Sequence, residues 1–443
     1  MDSTALLTDH YELTMLDAAL RSKVAGRRAV FEVFSRSLPP GRRYGVFAGL
    51  SRLLEAIARF SFSSAELGYL AEEEIVTSEC LEYLEGYSFS GSVDAYAEGE
   101  CYFPGSPVLT IEASFGEAVL LETVLLSICN FDSAVAAAAS RMVGAARGRP
   151  VIEMGARRTN ELAAVAAARA AYVAGFASTS DLEAGRRYKI PTSGTAAHAF
   201  VLAHDSEEEA FAAQLEAMGT GTTLLVDTFD VDQAIRSAVS LCRERGASGP
   251  GAIRLDSGHL ATEAKEARRL LDELGATATR IVITSDLDEH AIAELATAPA
   301  DAYGVGTRVV TGSGAPTAAF VYKLVAIAGP DGELRPVEKL SPAKRSPGGR
   351  KRASRLLDQG GRARAELVLP AGSAEPELPA GWSLRALQRQ VVDGGRAAGL
   401  PELERARRQH RFALAELGPL ALDLAPGEPL LPTRYSAEGG LVP

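Results

Sequence analysis

Cysteine is sparse. Cys80, Cys101, Cys129 and Cys242 are the only four in 443 residues, and no two of them form a CxxC pair. That spacing lacks the ligand pairs of a structural zinc site and fits a reduced, cytoplasmic setting. Long apolar runs are also lacking. No stretch reaches the roughly 18 residues that a membrane span needs, so no membrane segment is expected. The opening Met1-Asp2-Ser3-Thr4 has neither the basic nor the apolar part of a secretory signal. Positive charge is in deficit: 46 Lys and Arg against 57 Asp and Glu leave a net charge of −11. This argues against generic nucleic-acid binding by the whole surface.

What remains is globular. Hydrophobic residues make up 47% and charged residues 23% of a chain too long for a single core, so two domains are expected. The first part mixes helix and strand. Apolar spacing predicts helices over Thr8–Leu20 and Gly49–Phe60, and alternation predicts strands over Ala29–Ser35, Ser88–Glu98 and Val108–Ala113. Two Ala/Leu-rich helices are expected over Glu117–Ile128 and Asp132–Ala146. Then short apolar strands alternate with helices at roughly 25–30-residue spacing, as in βα units of a parallel sheet or barrel. The strands are Val151–Met154, Leu224–Val226, Ala252–Leu255, Arg280–Ile283 and Ala302–Gly306; the helices are Thr159–Ala174, Val231–Glu244, Leu260–Leu274 and Asp288–Ala296. After about residue 330, Leu340–Arg355 reads as a Pro/Gly/basic loop. A charged helix is expected over Pro401–Leu414. This last segment is expected to pack back on the N-terminal part. The expected divisions are 1–125, 126–330 and 331–443.

In such a barrel the polar residue that ends each strand lands on one rim, where active sites sit. Asp227, Arg254-Leu255-Asp256-Ser257-Gly258 and Thr284-Ser285-Asp286 stand at strand ends. Taken singly, these carboxylates read as helix N-caps. Their joint occurrence at the same end of successive strands favours chemistry. His198 follows Ser193-Gly194-Thr195, a turn whose backbone N–H groups suit an anion, with a helix behind it. A histidine there can reach a bound phosphate as nucleophile or acid/base; the bland alternative is a helix-start histidine satisfied by a carbonyl. Gly304-Val305-Gly306-Thr307 and Thr311-Gly312-Ser313-Gly314 follow a strand and suit a phosphate group. Arg157 and Arg158 follow another strand and suit a carboxylate or phosphate. The basic stretch Lys344–Arg355 reads as a solvated loop.

Several motifs occur together and in order: Thr8-Asp9-His10-Tyr11-Glu12-Leu13-Thr14-Met15, Glu153-Met154-Gly155-Ala156-Arg157-Arg158, Gly175-Phe176-Ala177-Ser178-Thr179-Ser180, Gly194-Thr195-Ala196-Ala197-His198, Arg254–Gly258 and Gly304–Thr307. On these the chain resembles a nicotinate phosphoribosyltransferase along essentially its whole length. The resemblance implies an α/β class fold: an irregular α/β barrel of the type II phosphoribosyltransferases plus an α+β domain built from both chain ends. It implies a homodimer with shared active sites. The implied reaction joins nicotinate and phosphoribosyl pyrophosphate to give nicotinate mononucleotide and pyrophosphate, the first step of NAD synthesis from nicotinate. Mg2+ and ATP are implied as cofactor and co-substrate, with ATP hydrolysed through a phosphohistidine.

Residue by residue, the resemblance gives His198 as the phosphorylated histidine. It gives Tyr11 as the aromatic covering the pyridine ring from the partner subunit, and Arg157 as the arginine near nicotinate. Asp227, Arg254 and Asp256 fall on the ribose and ring side, with Thr195, Asp286, Gly306 and Thr307 toward the ribose and phosphate. Met154 stands where the wider superfamily often has Phe; methionine can pack on a ring in its place. Ser180 stands where nicotinamide-using relatives have Asp. A carboxylate there would repel nicotinate, whereas a hydroxyl can donate to it. The alternatives are quinolinate phosphoribosyltransferase, which needs several basic residues for a dicarboxylate and no phosphohistidine, and a non-catalytic phosphometabolite-binding barrel, against which the intact His198 and Asp256 argue.

Overall fold

The computed structural model of the protein describes residues 3–339, 347–437 and 440–441. Two compact units result: Met1–Ala134 with Ala315–Pro443, and Val135–Gly314. The divisions fall at 134/135 and 314/315, against the expected 125/126 and 330/331. At the second division the physical reason is the Phe320–Ala328 strand, which pairs antiparallel with Arg28–Ser35. That pairing stacks Phe31 on Tyr322, ring centroids 4.6 Å apart.

The first unit is built on a seven-stranded sheet. Its order is Leu334–Pro336, Phe320–Ala328, Arg28–Ser35, Leu109–Ser114, Ser92–Tyr96, Gln388–Asp393 and Arg396–Ala397, so both chain ends share one sheet. Its core takes in Leu16, Leu50, Leu53 and Ile111, from helices His10–Arg21 and Leu50–Ala58 and from the sheet, with Phe47 from the loop before the second helix. The C-terminal segment also forms a second, five-stranded sheet, led by the Lys351–Leu357 and Ala363–Pro370 hairpin. The loop expected over Leu340–Arg355 is therefore a strand at its end. Lys344 and Arg345 lie outside the described residues, but Lys351 and Arg355 are buried and Arg350 is ion-paired, so that part is not a solvated loop. Arg355 is wholly buried against Glu366 at 2.9 Å, and Lys351 meets Glu32 at 2.8 Å. Arg350 pairs with Asp94 at 2.8 Å and also with Glu112. The charged helix runs over Leu403–Leu417.

The two helices expected over Glu117–Ile128 and Asp132–Ala146 become a short helix, Phe115–Val119, and one continuous helix, Glu122–Ala145. By length and composition this helix could cross a membrane, contrary to the sequence expectation, yet 72% of its most apolar stretch is buried in the fold. We read it as a core helix.

The second unit carries six parallel strands in the order Ser178–Thr179, Val151–Glu153, Ala302–Val305, Arg280–Ile283, Ala252–Leu255 and Thr223–Leu225. It is an irregular, open α/β barrel. Leu224, Ile253, Leu255, Ile281, Ile283 and Val305 are buried, as expected for strands covered on both faces. The helices start where their caps dictate. Asn160 accepts from Leu162 N–H, Ser206 from Glu209, Asp230 from Gln233 and Asp288 from His290 and Ala291. In Val231–Glu244 the buried residues Ala234, Ile235, Ala238, Val239, Leu241 and Cys242 form one helical face.

Candidate active site

The helix after each functional strand decides between capping and chemistry. Val231–Glu244 is capped by Asp230, not Asp227; Leu260–Glu273 starts at His259 with no side-chain cap; Glu289–Glu294 is capped by Asp288, not Asp286. Asp227, Asp256 and Asp286 are thus free of the capping role that each suggests alone.

Two of them join one hydrogen-bonded cluster. Asp227 Oδ1 lies 3.2 Å from His198 Nε2. Asp227 Oδ2 accepts from the Asp256 N–H at 2.9 Å and from the Ser257 hydroxyl at 2.7 Å. The Asp227 side chain is 4% exposed while that of His198 is 42% exposed, so the imidazole is held from behind and open in front. Asp256 accepts from the Thr284 hydroxyl and lies 3.1 Å from Arg254 Nη2. Arg254 donates Nε–H to Thr284 Oγ1 and Nη1–H to Thr195 Oγ1, each at 2.9 Å. Burial acts to raise the Asp256 carboxyl. The Thr284 hydroxyl and the Arg254 guanidinium outweigh it and hold the group below the usual carboxylate range.

This cluster edges a pocket of about 460 Å³. Arg157, Arg158 and Arg254 supply positive charge to its lining, and Asp256 and Asp286 oppose it. Met154, Thr284, Gly304, Gly306 and Thr307 complete the wall. Gly304 is required by close approach: a Cβ there would lie 2.6 Å from the Thr284 methyl and 2.8 Å from Met154 Sδ. Ser285, also on the wall, has φ +137, a region that residues with a side chain rarely adopt. Arg157 and Arg158 have no ion-pair partner among the described residues, whereas Arg308 lies 3.5 Å from Asp286.

The structure therefore brings together Met154, Arg157, Arg254, Asp256, Asp286, Gly306 and Thr307 around one pocket, and ties Thr195, Asp227 and His198 to it by hydrogen bonds. Ser180 is not on the pocket wall; its N–H donates to the Glu153 carbonyl at 2.8 Å. Tyr11 belongs to the other unit, 45% exposed on helix His10–Arg21. Burial, then Glu122, Glu12 and Asp9, push its phenol up to about 12. His198 opens a five-residue helix, His198–Leu202. Before it, Thr192 forms an isolated parallel bridge with Thr179. Ser313, in the second glycine-rich loop, donates to Glu289 at 2.6 Å, a carboxylate where a phosphate was expected.

Arg158, read with Arg157 as a partner for carboxylate or phosphate, also lines the pocket. Two contributors escaped sequence reasoning. Thr284 was legible only as the neighbour of Asp286. Glu207 gave no signal: it opens the Glu207–Met218 helix, and burial, then Asp227 and Asp230, push its carboxyl up to about 7.

A parallel α/β barrel whose rim joins histidine, carboxylates and arginines at a polar pocket defines a class of enzyme built for an anionic, phosphorylated substrate. Comparison with known proteins narrows the class. Residues 6–130 match the nicotinate phosphoribosyltransferase (NAPRTase) N-terminal domain. The chain is 52% identical to the nicotinate phosphoribosyltransferase pncB1 of Mycobacterium tuberculosis, over 98% of this chain and 95% of that protein. It is 40% identical to the nicotinate phosphoribosyltransferase of Bacillus subtilis, over 81% of this chain and 74% of that one. The crystal structure of human nicotinic acid phosphoribosyltransferase superposes with a TM-score of 0.85 at 25% identity, covering 97% of both chains. The chain belongs to the nicotinate phosphoribosyltransferase family.

Proposed function

We propose that this enzyme joins nicotinate to phosphoribosyl pyrophosphate, giving nicotinate mononucleotide and pyrophosphate, and couples the reaction to ATP through phosphorylation of His198. The observation that carries the reading is the unbroken hydrogen-bond path from His198 through Asp227 to Asp256 and Arg254, at the edge of a pocket with two unpaired arginines. In the transfer step the pyridine nitrogen bonds to ribose C1 as the C1–O bond to pyrophosphate breaks. Positive charge grows on the ribose, and the carboxylate of Asp256, ionised at neutral pH, favours it. Arg157 and Arg158 are the charge partners for the nicotinate carboxylate and the phosphates.

In the coupling step an imidazole nitrogen attacks the γ-phosphorus of ATP, ADP leaves, and water later releases phosphate from the histidine. The Asp227 contact supports Nε2 as the protonated nitrogen and Nδ1 as the nucleophile. No three acidic, imidazole or thiol groups converge into an all-protein metal site among the described residues. Asp256 and Asp286 are hard oxygen donors on the pocket wall, and Mg2+ bound with substrate phosphates needs only one or two carboxylates. They would hold it, and when bound it would offset the charge of the departing diphosphate. We place the working enzyme in the cytoplasm, as a homodimer with Tyr11 donated to the partner's pocket. The four unpaired, buried cysteines support a reducing compartment.

His198→Ala tests the coupling. The variant is expected to lose ATP hydrolysis and acid-labile phosphorylation while retaining slow ATP-independent synthesis. ATP hydrolysis still in step with product would overturn the assignment. For the dimer, mixing Tyr11→Ala and His198→Ala proteins is expected to restore part of the ATP-coupled activity that each lacks alone; a fully active monomer in sedimentation would refute the sharing.

A further inference from the structure

One buried acid of the barrel has no place in the chemistry above. Glu153 ends the Val151–Glu153 strand and is 1% exposed. It has no ion-pair partner among the described residues, and burial pushes its carboxyl up. A buried carboxylate without a cation costs stability, so a neutral residue of the same shape would be the cheaper filler. Its hydrogen bonds give it another use. One carboxylate oxygen accepts from the Gly155 N–H. The other accepts from the Thr179 hydroxyl at 2.5 Å. The Glu153 carbonyl accepts from the Ser180 N–H at 2.8 Å. A carboxylate is acceptor-only, so it can receive both side donors at once and fix both directions.

The two arms it grips are the turn that carries Met154, Arg157 and Arg158, and the strand end that carries Ser180. The turn is wedged as well: a Cβ on Gly155 would lie 2.2 Å from Val310 Cγ1. Thr179 passes the restraint on. Its hydroxyl accepts from Asp181 N–H at 3.0 Å, its own N–H donates to Pro191 O at 3.0 Å, and its carbonyl accepts from Ser193 N–H at 2.9 Å.

We propose that Glu153 is a positioning residue for pyridine recognition, clamping the Met154–Arg158 turn to the Thr179–Ser180 strand end so that Arg157 presents one geometry to the substrate carboxylate. This rests on the reading that Arg157 recognises nicotinate. A misplacement of about 1 Å in a supporting shell can cost on the order of a hundredfold in rate, so the clamp has enough leverage to matter.

The test compares specificity constants for nicotinate and nicotinamide in wild type, Glu153→Ala, Glu153→Gln, Thr179→Val and Arg157→Ala. Glu153→Ala is expected to lower the nicotinate-to-nicotinamide ratio about tenfold, the size of one charge-assisted hydrogen bond, through KM for nicotinate and not through KM for phosphoribosyl pyrophosphate. Glu153→Gln keeps an acceptor for Gly155, and the Thr179 hydroxyl can turn to accept from its amide. It is expected to retain most of the ratio. Thr179→Val removes one arm with little change of volume and carries the test if Glu153→Ala does not fold; it is expected to lower the ratio in the same direction. A ratio that collapses in Arg157→Ala but stays unchanged in Glu153→Ala and Thr179→Val overturns the clamp and leaves the nicotinate reading standing. An equal loss for both pyridines in the Glu153 and Thr179 variants also overturns it, since that is what a purely structural role gives. An unchanged ratio in Arg157→Ala overturns the nicotinate reading and the clamp with it.

Discussion

Arginine and carboxylate meet in two regions to opposite ends. Around Arg355, in the unit built from both chain ends, the charge is enclosed by carboxylates, although its Nε and Nη1 make no hydrogen bond among the described residues. Its Nη2 lies 2.9 Å from Glu366, 2.7 Å from the Cys101 carbonyl and 3.5 Å from Glu100, and its guanidinium stands over the Phe103 ring at 5.5 Å. Arg385 adds bonds to Glu416 at 2.6 Å and to Glu100 at 2.9 Å. Arg355, Glu100 and Glu366 are at most 1% exposed. Burial opposes the charge on Arg355, but Glu366 and Glu100 more than restore it and hold its pKa above the usual value. At the barrel rim the same residue types are left open. Arg157 and Arg158 face the pocket without an ion partner among the described residues, and His198 is held from behind by Asp227. A closed cluster can only hold a fold, whereas an open one has capacity left for a ligand.

The comparison breaks most visibly at Arg355. Removing one partner of a buried ion pair typically costs about 3–5 kcal/mol. Arg355→Ala is therefore expected to lower the unfolding free energy by an amount of that order, seen as a lower urea midpoint, while the folded fraction keeps wild-type KM values. A stability change inside error would show that this cluster is not structural. At the rim the expectation reverses. Asp256→Asn should leave the urea midpoint near wild type and lower kcat by roughly two to three powers of ten, the scale of losing one preorganised electrostatic group. Equal losses of stability and rate there would erase the distinction. Arg157→Ala comes next. A hydrogen bond to a charged group is worth about 1.5–3 kcal/mol, so nicotinate preference over nicotinamide should fall by one to two powers of ten.

The smallest expected effect concerns pH. Burial outweighs the Thr123 hydrogen bonds and pushes the Glu12 carboxyl up to about 7. A folded pKa raised above the unfolded value gives stability that is complete below the unfolded pKa and is lost as pH rises through about 7. Glu12→Gln removes that loss, so relative to wild type its thermal midpoint should rise between about pH 5 and pH 8. A constant difference across that window would mean that Glu12 titrates normally.

What was legible in the sequence follows the same divide. The barrel strands are short apolar runs covered on both faces, and their helices carry local caps. The expected Ala252–Leu255, Arg280–Ile283 and Val231–Glu244 agree with the structure residue for residue. The rim residues were legible because strand ends place them without help from distant chain. The Lys351–Arg355 strand was not: its partners Glu32 and Glu100 lie 319 and 255 residues away, so nothing local marks its charges as buried. The sequence expectation put a break in the long Glu122–Ala145 helix between Ile128 and Asp132, around Asn130. Asn130 instead accepts from Phe320 N–H at 2.8 Å, and Asp132 pairs with Arg52. Polar residues satisfied by tertiary partners look like loop residues when the partners are out of sight. Glu153 was quoted within a motif and given no role, because its Thr179 partner stands 26 residues on.

The central claim is that the open rim recognises nicotinate for transfer of the phosphoribosyl group. Pyrophosphate release from phosphoribosyl pyrophosphate, measured with nicotinate, nicotinamide or quinolinate in turn, tests it most directly. Release that depends on nicotinate and yields nicotinate mononucleotide in equal amount, with little from the other two, is the expected result. Release driven equally well by quinolinate or nicotinamide, or unaffected by any of the three, would contradict the account.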